Sequence, residues 1–468
     1  MPARPLLAAL LCLLWGRVAA AEAASGTEEP AEEIVITGIR TGVLDHAPSA
    51  FSDAIFTDDF EAERKSLADL LSESEGVFVR RFGAASDRAE VSIRGSSPAQ
   101  VVVSIDGVRA NSALTGGLDL SRVCLPLVES VEIYRGAGAA WQGSGAVGGT
   151  VNLNTRGGTD QPVNRIGFSG GAFDTYQGSI FRSATAGSLG YSAGYCGLGT
   201  QGDFRFARPT YIGPDGVPQS PVPDEAERIN NDRVQHASTL GLEHALGPGR
   251  LRFGDYFVHS RGGEPGIDCC GGETAGQSPE ARGTDWSNLA QLGWRGESLG
   301  RLGSALDLSL YHRYEASAFE DPLRPYDDPV DVNADISTLG ARLADRWKGA
   351  LGPSRHEPGL QIDFANDRLD SSEQSDRARS TAAATLDDRV TFFDERLLLA
   401  AAVRADWTEG FGWHWVPSLG IVVTPLPWLR IRGNAGRAFR VPTFDELYLP
   451  DKGYIRGDPS LEPEDALN

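Results

Sequence analysis

Val128 to Thr155 reads VESVEIYRGAGAAWQGSGAVGGTVNLNT. The pattern predicts a strand over Ser130–Arg135, a glycine-rich turn, and a second strand over Thr150–Thr155. Val131/Ile133 and Val151/Leu153 alternate with polar residues, the period of a half-buried sheet. The turn carries Gly136, Gly138, Gly143, Gly145, Gly148 and Gly149. So many glycines in one connection mean backbone held close to other backbone, or at positive φ.

Around this stretch, residues 41–157 read as a compact α+β unit. Ser66-Leu67-Ala68-Asp69 has the form of a capping box, with Leu67, Leu70 and Leu71 on one side of a short helix and Gly76 past its end. Val91 and Ile93 alternate with Ser92 and Arg94. Val101–Ile105, Asp106-Gly107 and Val108–Ala110 form a tight hairpin signal. A second short helix is expected within Leu118–Val128, limited by Pro126.

From about residue 160 the texture changes to segments of roughly ten alternating residues separated by turns, the signature of a transmembrane β-barrel. Leu306, Leu308 and Leu310 alternate with Asp307, Ser309 and Tyr311. Leu360, Ile362 and Phe364 alternate with Gln361 and Asp363. Leu397, Leu399, Ala401, Val403 and Trp407 alternate with Arg404, Asp406 and Thr408 over part of their run. Short turns near Gly187, Gly247-Pro248-Gly249, Arg301, Gly352-Pro353, Asp394 and Pro425-Leu426-Pro427 alternate with long polar loops at Gln201–Asp232, Gly262–Thr284 and Glu320–Ala334. Short connections on one side and long ones on the other also fit a barrel. A soluble β-sandwich shows the same alternation. The leader and this loop asymmetry favour the barrel.

The chain opens as a secretory signal peptide over residues 1–21: Arg4, an apolar core Leu6–Trp15 too short to span a bilayer, then Val18-Ala19-Ala20-Ala21. Residues 22–40 form a flexible acidic N-terminus, interrupted by the β-branched run in Glu33-Ile34-Val35-Ile36-Thr37. Such a run is either the first strand of the next domain or an exposed strand that pairs with the edge of another protein's sheet. Net charge is −21, which argues against nucleic acid as a partner. After the leader four cysteines remain, Cys124, Cys196, Cys269 and Cys270, too few and scattered for a disulfide scaffold or zinc site.

Together these features resemble the TonB-dependent outer-membrane receptors, closest in look to those for cobalamin and siderophores. The resemblance rests on Arg94-Gly95, Asp106-Gly107-Val108, Val131-Glu132-Ile133-Tyr134-Arg135-Gly136 and Gly143-Ser144-Gly145-Ala146-Val147-Gly148-Gly149. Two later segments add to it, Ala438-Phe439-Arg440-Val441-Pro442-Thr443-Phe444-Asp445-Glu446-Leu447-Tyr448 and Gly457–Glu464. The resemblance implies a mainly β fold, an α+β plug inside an antiparallel transmembrane barrel over 160–468. It makes Glu33–Thr37 the TonB box, with TonB as periplasmic partner and outer-membrane lipid around the barrel. It places the plug loops Phe82–Asp87 and Ala110–Gly117, with Phe82, Asp87, Asn111 and Leu114, toward the ligand. The expected activity is energised import, of an iron–siderophore complex first and of cobalamin second. A non-transporting surface β-protein or adhesin would need neither plug nor TonB strand. A signalling receptor would carry an extra domain before that strand, for which residues 22–32 are too few.

About thirteen strands are countable, against ~22 in the plugged transporters, so the chain is expected to be a truncated receptor with an incomplete barrel. No enzyme, cofactor or metal site is expected. Gly190-Tyr191-Ser192-Ala193-Gly194 matches G-x-S-x-G but falls in a strand, without the strand–turn–helix setting that motif needs. Gly136-Ala137-Gly138 begins a dinucleotide fingerprint that fails at Trp141. Trp286, Trp294, Tyr311, Trp347, Trp407, Trp413, Trp415 and Trp428 read as membrane-interface aromatics. Arg80, Arg81, Arg94, Arg109 and Arg135 are expected to pair with carboxylates on the barrel wall.

Overall fold

The quoted stretch folds as an antiparallel pair, β6 (Val128–Arg135) and β7 (Gly149–Thr155), with Val131 opposite Leu153 and Ile133 opposite Val151. This is a computed structural model, describing residues 51–60, 63, 65–83, 88–136, 139–159, 161–207, 225–266, 278–299, 303–323, 329–453 and 455–468. The leader, Glu33–Thr37, Asp87 and Cys269-Cys270 lie outside these residues.

Five further strands complete the inner domain: β1 (Phe51–Phe56), β2 (Val77–Arg81), β3 (Ala89–Ile93), β4 (Val101–Ile105) and β5 (Val108–Arg109). The central sheet runs β1-β6-β7-β4-β5, and β2 pairs with β3 apart from it. β4 lies parallel to β7, and the other neighbours are antiparallel. Asp106 and Gly107, both at positive φ (49° and 80°), close the β4–β5 hairpin, as a type I′ turn requires.

The helix Leu67–Ser72 is capped as expected. Ser66 Oγ accepts from Asp69 N, and the Asp69 carboxylate accepts from Ser66 N. Its Leu67, Leu70 and Leu71 are fully buried, each contributing about 2 kcal/mol of apolar burial. The helix expected in Leu118–Val128 is instead two 3-10 turns, Leu120–Arg122 and Leu125–Leu127. Pro126 cannot donate the bond that would continue an α-helix.

The half-buried alternation of β6 and β7 is corrected by the structure. Their polar residues are buried as well. Ser130, Glu132, Asn152 and Asn154 hydrogen-bond to one another across the pair, and Ser104 donates to Asn152 Oδ1. A sheet enclosed on both faces must satisfy its polar side internally.

The wall is one large antiparallel sheet. It begins with β8 (Val163–Gly171), β9 (Thr175–Ala186) and β10 (Leu189–Thr200). A separate ribbon, β11 (Arg205–Ala207) and β12 (Glu225–Glu227), leads to β13 (Arg233–Leu246), β14 (Gly249–Gly263), β15 (Arg282–Leu299), β16 (Ser304–Asp321) and β17 (Val330–Arg346). The short hairpin β18 (Gly349–Leu351) and β19 (Ser354–His356) precedes β20 (Gly359–Ser371), β21 (Arg377–Phe392), β22 (Leu397–Thr408), β23 (Gly412–Leu426), β24 (Leu429–Arg440) and β25 (Glu464–Leu467).

Among the described residues the sheet holds 16 strands, three more than the alternation suggested. The extra ones are β18, β19 and β25, too short to show a period. β14, β15, β16 and β17 also extend into the segments read as long loops. All three quoted alternations hold. Leu308 and Leu310 face outward while Ser309 and Arg313 face in, and Arg404, Asp406 and Thr408 are buried opposite outward Ala401 and Val403. Ile166 (84% exposed), Leu339 (59%), Leu386 and Leu419 share the outer face. An apolar face of this extent belongs against lipid, not water. Among the described residues no helix is long and apolar enough to cross a membrane.

Tyr311 departs from the expected aromatic belt. It points inward and packs on the inner domain's core, whereas Trp286, Trp413, Trp415 and Trp428 are exposed.

Candidate functional site

Inner domain and wall share their cores. Cys196, Ala237, Tyr256, Val258 and Leu289 of β10, β13, β14 and β15 join the cluster built on Leu67, Val103 and Ile133. Ala402, Val416, Ala438 and Phe439 of β22, β23 and β24 pack on Val102, Ala140 and Ala146. The wall therefore touches the same small domain from β10 round to β24.

Between these apolar patches lies a polar seam. Turns of the inner domain leave backbone carbonyls unpaired, and buried carbonyls need donors. The wall supplies them. Arg313 Nη1 donates to the carbonyls of Arg109 and Asn111, and its Nη2 to Thr338 Oγ1 at 3.1 Å. Arg342 Nη1 donates to Gly107 O at 3.3 Å, Thr385 Oγ1 to Ala140 O at 3.2 Å, and Gln235 Nε2 to Arg122 O at 3.2 Å. Behind them Asp363 accepts from Arg342 Nε and from Arg404 Nη1, each at 2.7 Å.

The expectation that inner-domain arginines pair with wall carboxylates is thus reversed for most of the set. Arg81 pairs with Asp69, Arg135 with Asp53, and Arg109 donates to Ser144 O. Arg80 and Arg94 lie over the rings of Phe82 and Phe51. An unpredicted arginine, Arg122, reaches the wall at Asp285, 2.9 Å away. Burial pulls Arg109 down to about 10, and the neighbouring Arg313 and Arg379 add to the effect.

The glycine motif and the distant Ala438–Tyr448 segment meet. Gly145 N donates to Phe439 O at 2.8 Å, and Val441 N to Ser144 Oγ at 3.0 Å. Gly148 passes so close to the Arg94-Gly95-Ser96 turn that a Cβ would lie 2.2 Å from Ser96 Oγ and 2.9 Å from Ile93 O. Arg94 and Gly95 both sit at positive φ there. Past β24, Thr443 and Glu446 cap the helix Phe444–Tyr448, and Arg440 clamps Glu446 and Glu464. Phe444 N and Asp445 N then donate to Ala113 O and Leu114 O, each at 3.1 Å. This segment holds the 110–117 loop in place.

Of the residues expected to face a ligand, Phe82 and Leu114 line one open cavity of about 540 Å³ between inner domain and wall. Arg88, Arg122, Arg233, Glu264 and Asp285 line it too. Phe82 is exposed and flanked by Arg80 and Arg88, 4.6 and 5.8 Å from its ring centre. Asn111 is placed otherwise. It is 1% exposed, its Oδ1 accepts from Val103 N, and its Nδ2 donates to Val101 O and Gly116 O. It braces the loop from inside and presents nothing to the cavity. The wall arginines were missed because an inward strand position reads as polar whatever it binds.

One connection is covalent. Cys124 of the inner domain and Cys196 of β10 form a disulfide, with Cα atoms 6.5 Å apart and a sequence separation of 72. Spacing alone gave no sign of it. Gly190–Gly194 lies within β10, so no nucleophile turn forms there.

Burial pushes the Asp106 carboxyl up to about 6, against two hydrogen bonds from Thr155 and with help from Glu129. The folded chain therefore binds a proton more tightly than the unfolded one between roughly pH 4 and 6, so this residue's contribution to stability falls as pH rises through that window. Thermal unfolding of an Asp106→Asn variant is expected to lack that downward component between pH 4.5 and 7. An unchanged pH profile would contradict the assignment.

Comparison with known proteins agrees with this architecture. A family model described as TonB-dependent Receptor Plug Domain matches residues 47–150, and one described as TonB dependent receptor-like, beta-barrel matches residues 140–468. The vitamin B12 transporter BtuB of Photobacterium profundum is 26% identical over 410 residues, covering 87% of this chain and 61% of that protein. The chain thus spans about three fifths of that relative's length (61%). Among solved structures, a mutant of the ferric enterobactin receptor PfeA from Pseudomonas aeruginosa superposes with a TM-score of 0.73 at 16% identity, covering 92% of this chain and 69% of that one. The siderophore receptor PirA from Acinetobacter baumannii gives 0.71 at 17% identity, covering 91% and 68%.

Proposed function

Because the chain belongs to the TonB-dependent receptor family, a family of outer-membrane β-barrels, we propose that it takes part in energised import of a scarce small ligand and catalyses no bond change. The observation that carries this reading is the cavity where Phe82 and Leu114 of the plug face wall side chains. Ligand seated there touches both bodies at once, so it has different affinities for a seated and a displaced plug. That difference is all a ligand can use to shift the equilibrium.

The seam suits such a shift. Its hydrogen bonds to backbone carbonyls exchange with water one at a time, at a net cost of about 1 kcal/mol for the neutral donors Thr385 and Gln235 and roughly 1.5–3 kcal/mol for the arginines, so the plug can loosen stepwise. Glu33–Thr37, following the leader in sequence, serves as the strand TonB pairs with from the periplasm. An adhesin has no use for an enclosed domain held by so many wall contacts. A ferric siderophore is the first substrate reading. Cobalamin is the second, favoured by the sequence similarity to a vitamin B12 transporter.

Val35→Pro removes a backbone donor from the TonB strand. Cells carrying this variant are expected to bind radioiron-loaded siderophore or cyanocobalamin as before and to lose uptake. Uptake equal to wild type would overturn the reading.

A further inference from the structure

We infer that the Cys124–Cys196 disulfide divides the plug into a part that traction can draw out and a part that it cannot. The inference rests on the reading that TonB pulls the N-terminus. Cys124 sits between the two 3-10 turns, just before β6, and Cys196 sits on the inner face of β10. Everything from β1 to β5, with the capped helix and the 110–117 loop, precedes the bond. β6, the glycine turn and β7 follow it.

The segment 124–162 is consequently fixed at both ends, by the disulfide to β10 and by its own continuation into β8 at Val163. A pull on the N-terminus cannot lengthen a segment so bracketed. It can peel β1 from β6 and β4 from β7, since those pairings are hydrogen bonds alone. Release stops at Cys124.

The joint is well protected. Both cysteines are 3% exposed. Cys124 N donates to Tyr256 Oη at 3.3 Å, and Gln177 Nε2 lies 3.7 and 3.5 Å from the two sulfurs. Leu127 fills the space above Gly194, where a Cβ would come within 2.6 Å of its Cδ2. Reductant reaches the bond only when the plug moves.

The division also sets which side opens. The departing part carries the carbonyls of Gly107, Arg109 and Asn111, which Arg342 and Arg313 hold. Withdrawal bares these two guanidinium groups on β16 and β17, while β10 stays covered by the tethered remainder. The passage so formed is one-sided, with Arg342 still held by Asp363 and Arg313 beside Glu315.

The test uses the full chain in membrane vesicles, pulled by an N-terminal tag in a force spectrometer. Wild type is compared with a Cys124→Ser/Cys196→Ser double variant, and with wild type pulled in the presence of a phosphine, which reaches the bond once traction has moved the plug and needs no substitution. Either treatment is expected to lengthen the released chain by residues 124–162, about 130 Å when extended. Peptide mapping without reductant is expected to recover Cys124 and Cys196 in one linked species. Equal released lengths in all three samples, or separate peptides, would overturn the inference. The pull is external, so the length difference is independent of TonB. If it appears while Val35→Pro leaves uptake intact, the tether stands and the TonB reading fails.

Discussion

Gly149→Ala is expected to destabilise the plug by about 4 kcal/mol, the sum of a steric and a backbone cost. Gly149 stands at φ +153°, and a Cβ there would lie 2.2 Å from Tyr134 O and 3.1 Å from Ile93 Cδ1. Tyr134 belongs to β6, whose Arg135 pairs with Gly149 itself, so the carbonyl cannot withdraw without breaking the sheet's first pairing. The measurement is the denaturant midpoint at which the plug becomes protease-sensitive, with barrel unfolding followed separately. A midpoint equal to wild type would mean that the β6–β7 approach is looser than described. Gly95, which also has positive φ but no atom within 4 Å of a Cβ, makes a useful control. Its alanine variant should lose only the backbone part, roughly 1 kcal/mol.

Asp363→Ala should cost about as much, ~4 kcal/mol, for an electrostatic reason. Asp363 is the shared acceptor of Arg342 and Arg404, and Gln361 Nε2 also donates to it at 2.8 Å. Truncation leaves Arg404, 7% exposed at its side chain, with Asp406 as its remaining carboxylate. Arg342, which reaches the plug at Gly107 O, loses the group that orients it. The plug should therefore become easier to displace, seen as faster protease cleavage within 51–123 at a temperature where wild type resists. The isosteric Asp363→Asn should fall between the two. Wild-type resistance in Asp363→Ala would show that the seam does not hold the plug.

Much of this architecture is written locally. The Ser66 box, the Asp106-Gly107 turn and the alternation through Leu306–Tyr311 each concern neighbours within a few residues, where side-chain period and turn chemistry decide the outcome. The parts that escaped reading concern partners far apart. Asn111 looks like a polar loop residue, and only the enclosure of Val101, Val103 and Gly116 around it makes it a brace. Arg313 and Arg342 look like ordinary lumen residues until the plug's carbonyls are placed opposite them. Cys124 and Cys196 carry no pattern that marks them as a pair. The buried polar side of β6 and β7 was misread for the same reason, since strand period reveals which residues share a face and not what covers it. Phe82 and Leu114, which line the cavity, were expected there from the family resemblance, not from local pattern.

The central claim is that a lipid-facing sheet encloses the plug, and it is tested most directly by nitroxide scanning along Leu306–Tyr311 of β16 in reconstituted bilayers, with Cys269 and Cys270 replaced by serine. Labels at Leu306, Leu308 and Leu310 should be relaxed strongly by oxygen and weakly by a water-soluble nickel chelate, while labels at Asp307, Ser309 and Tyr311 should be shielded from both. Equal access of the nickel chelate to the two sets would contradict the account.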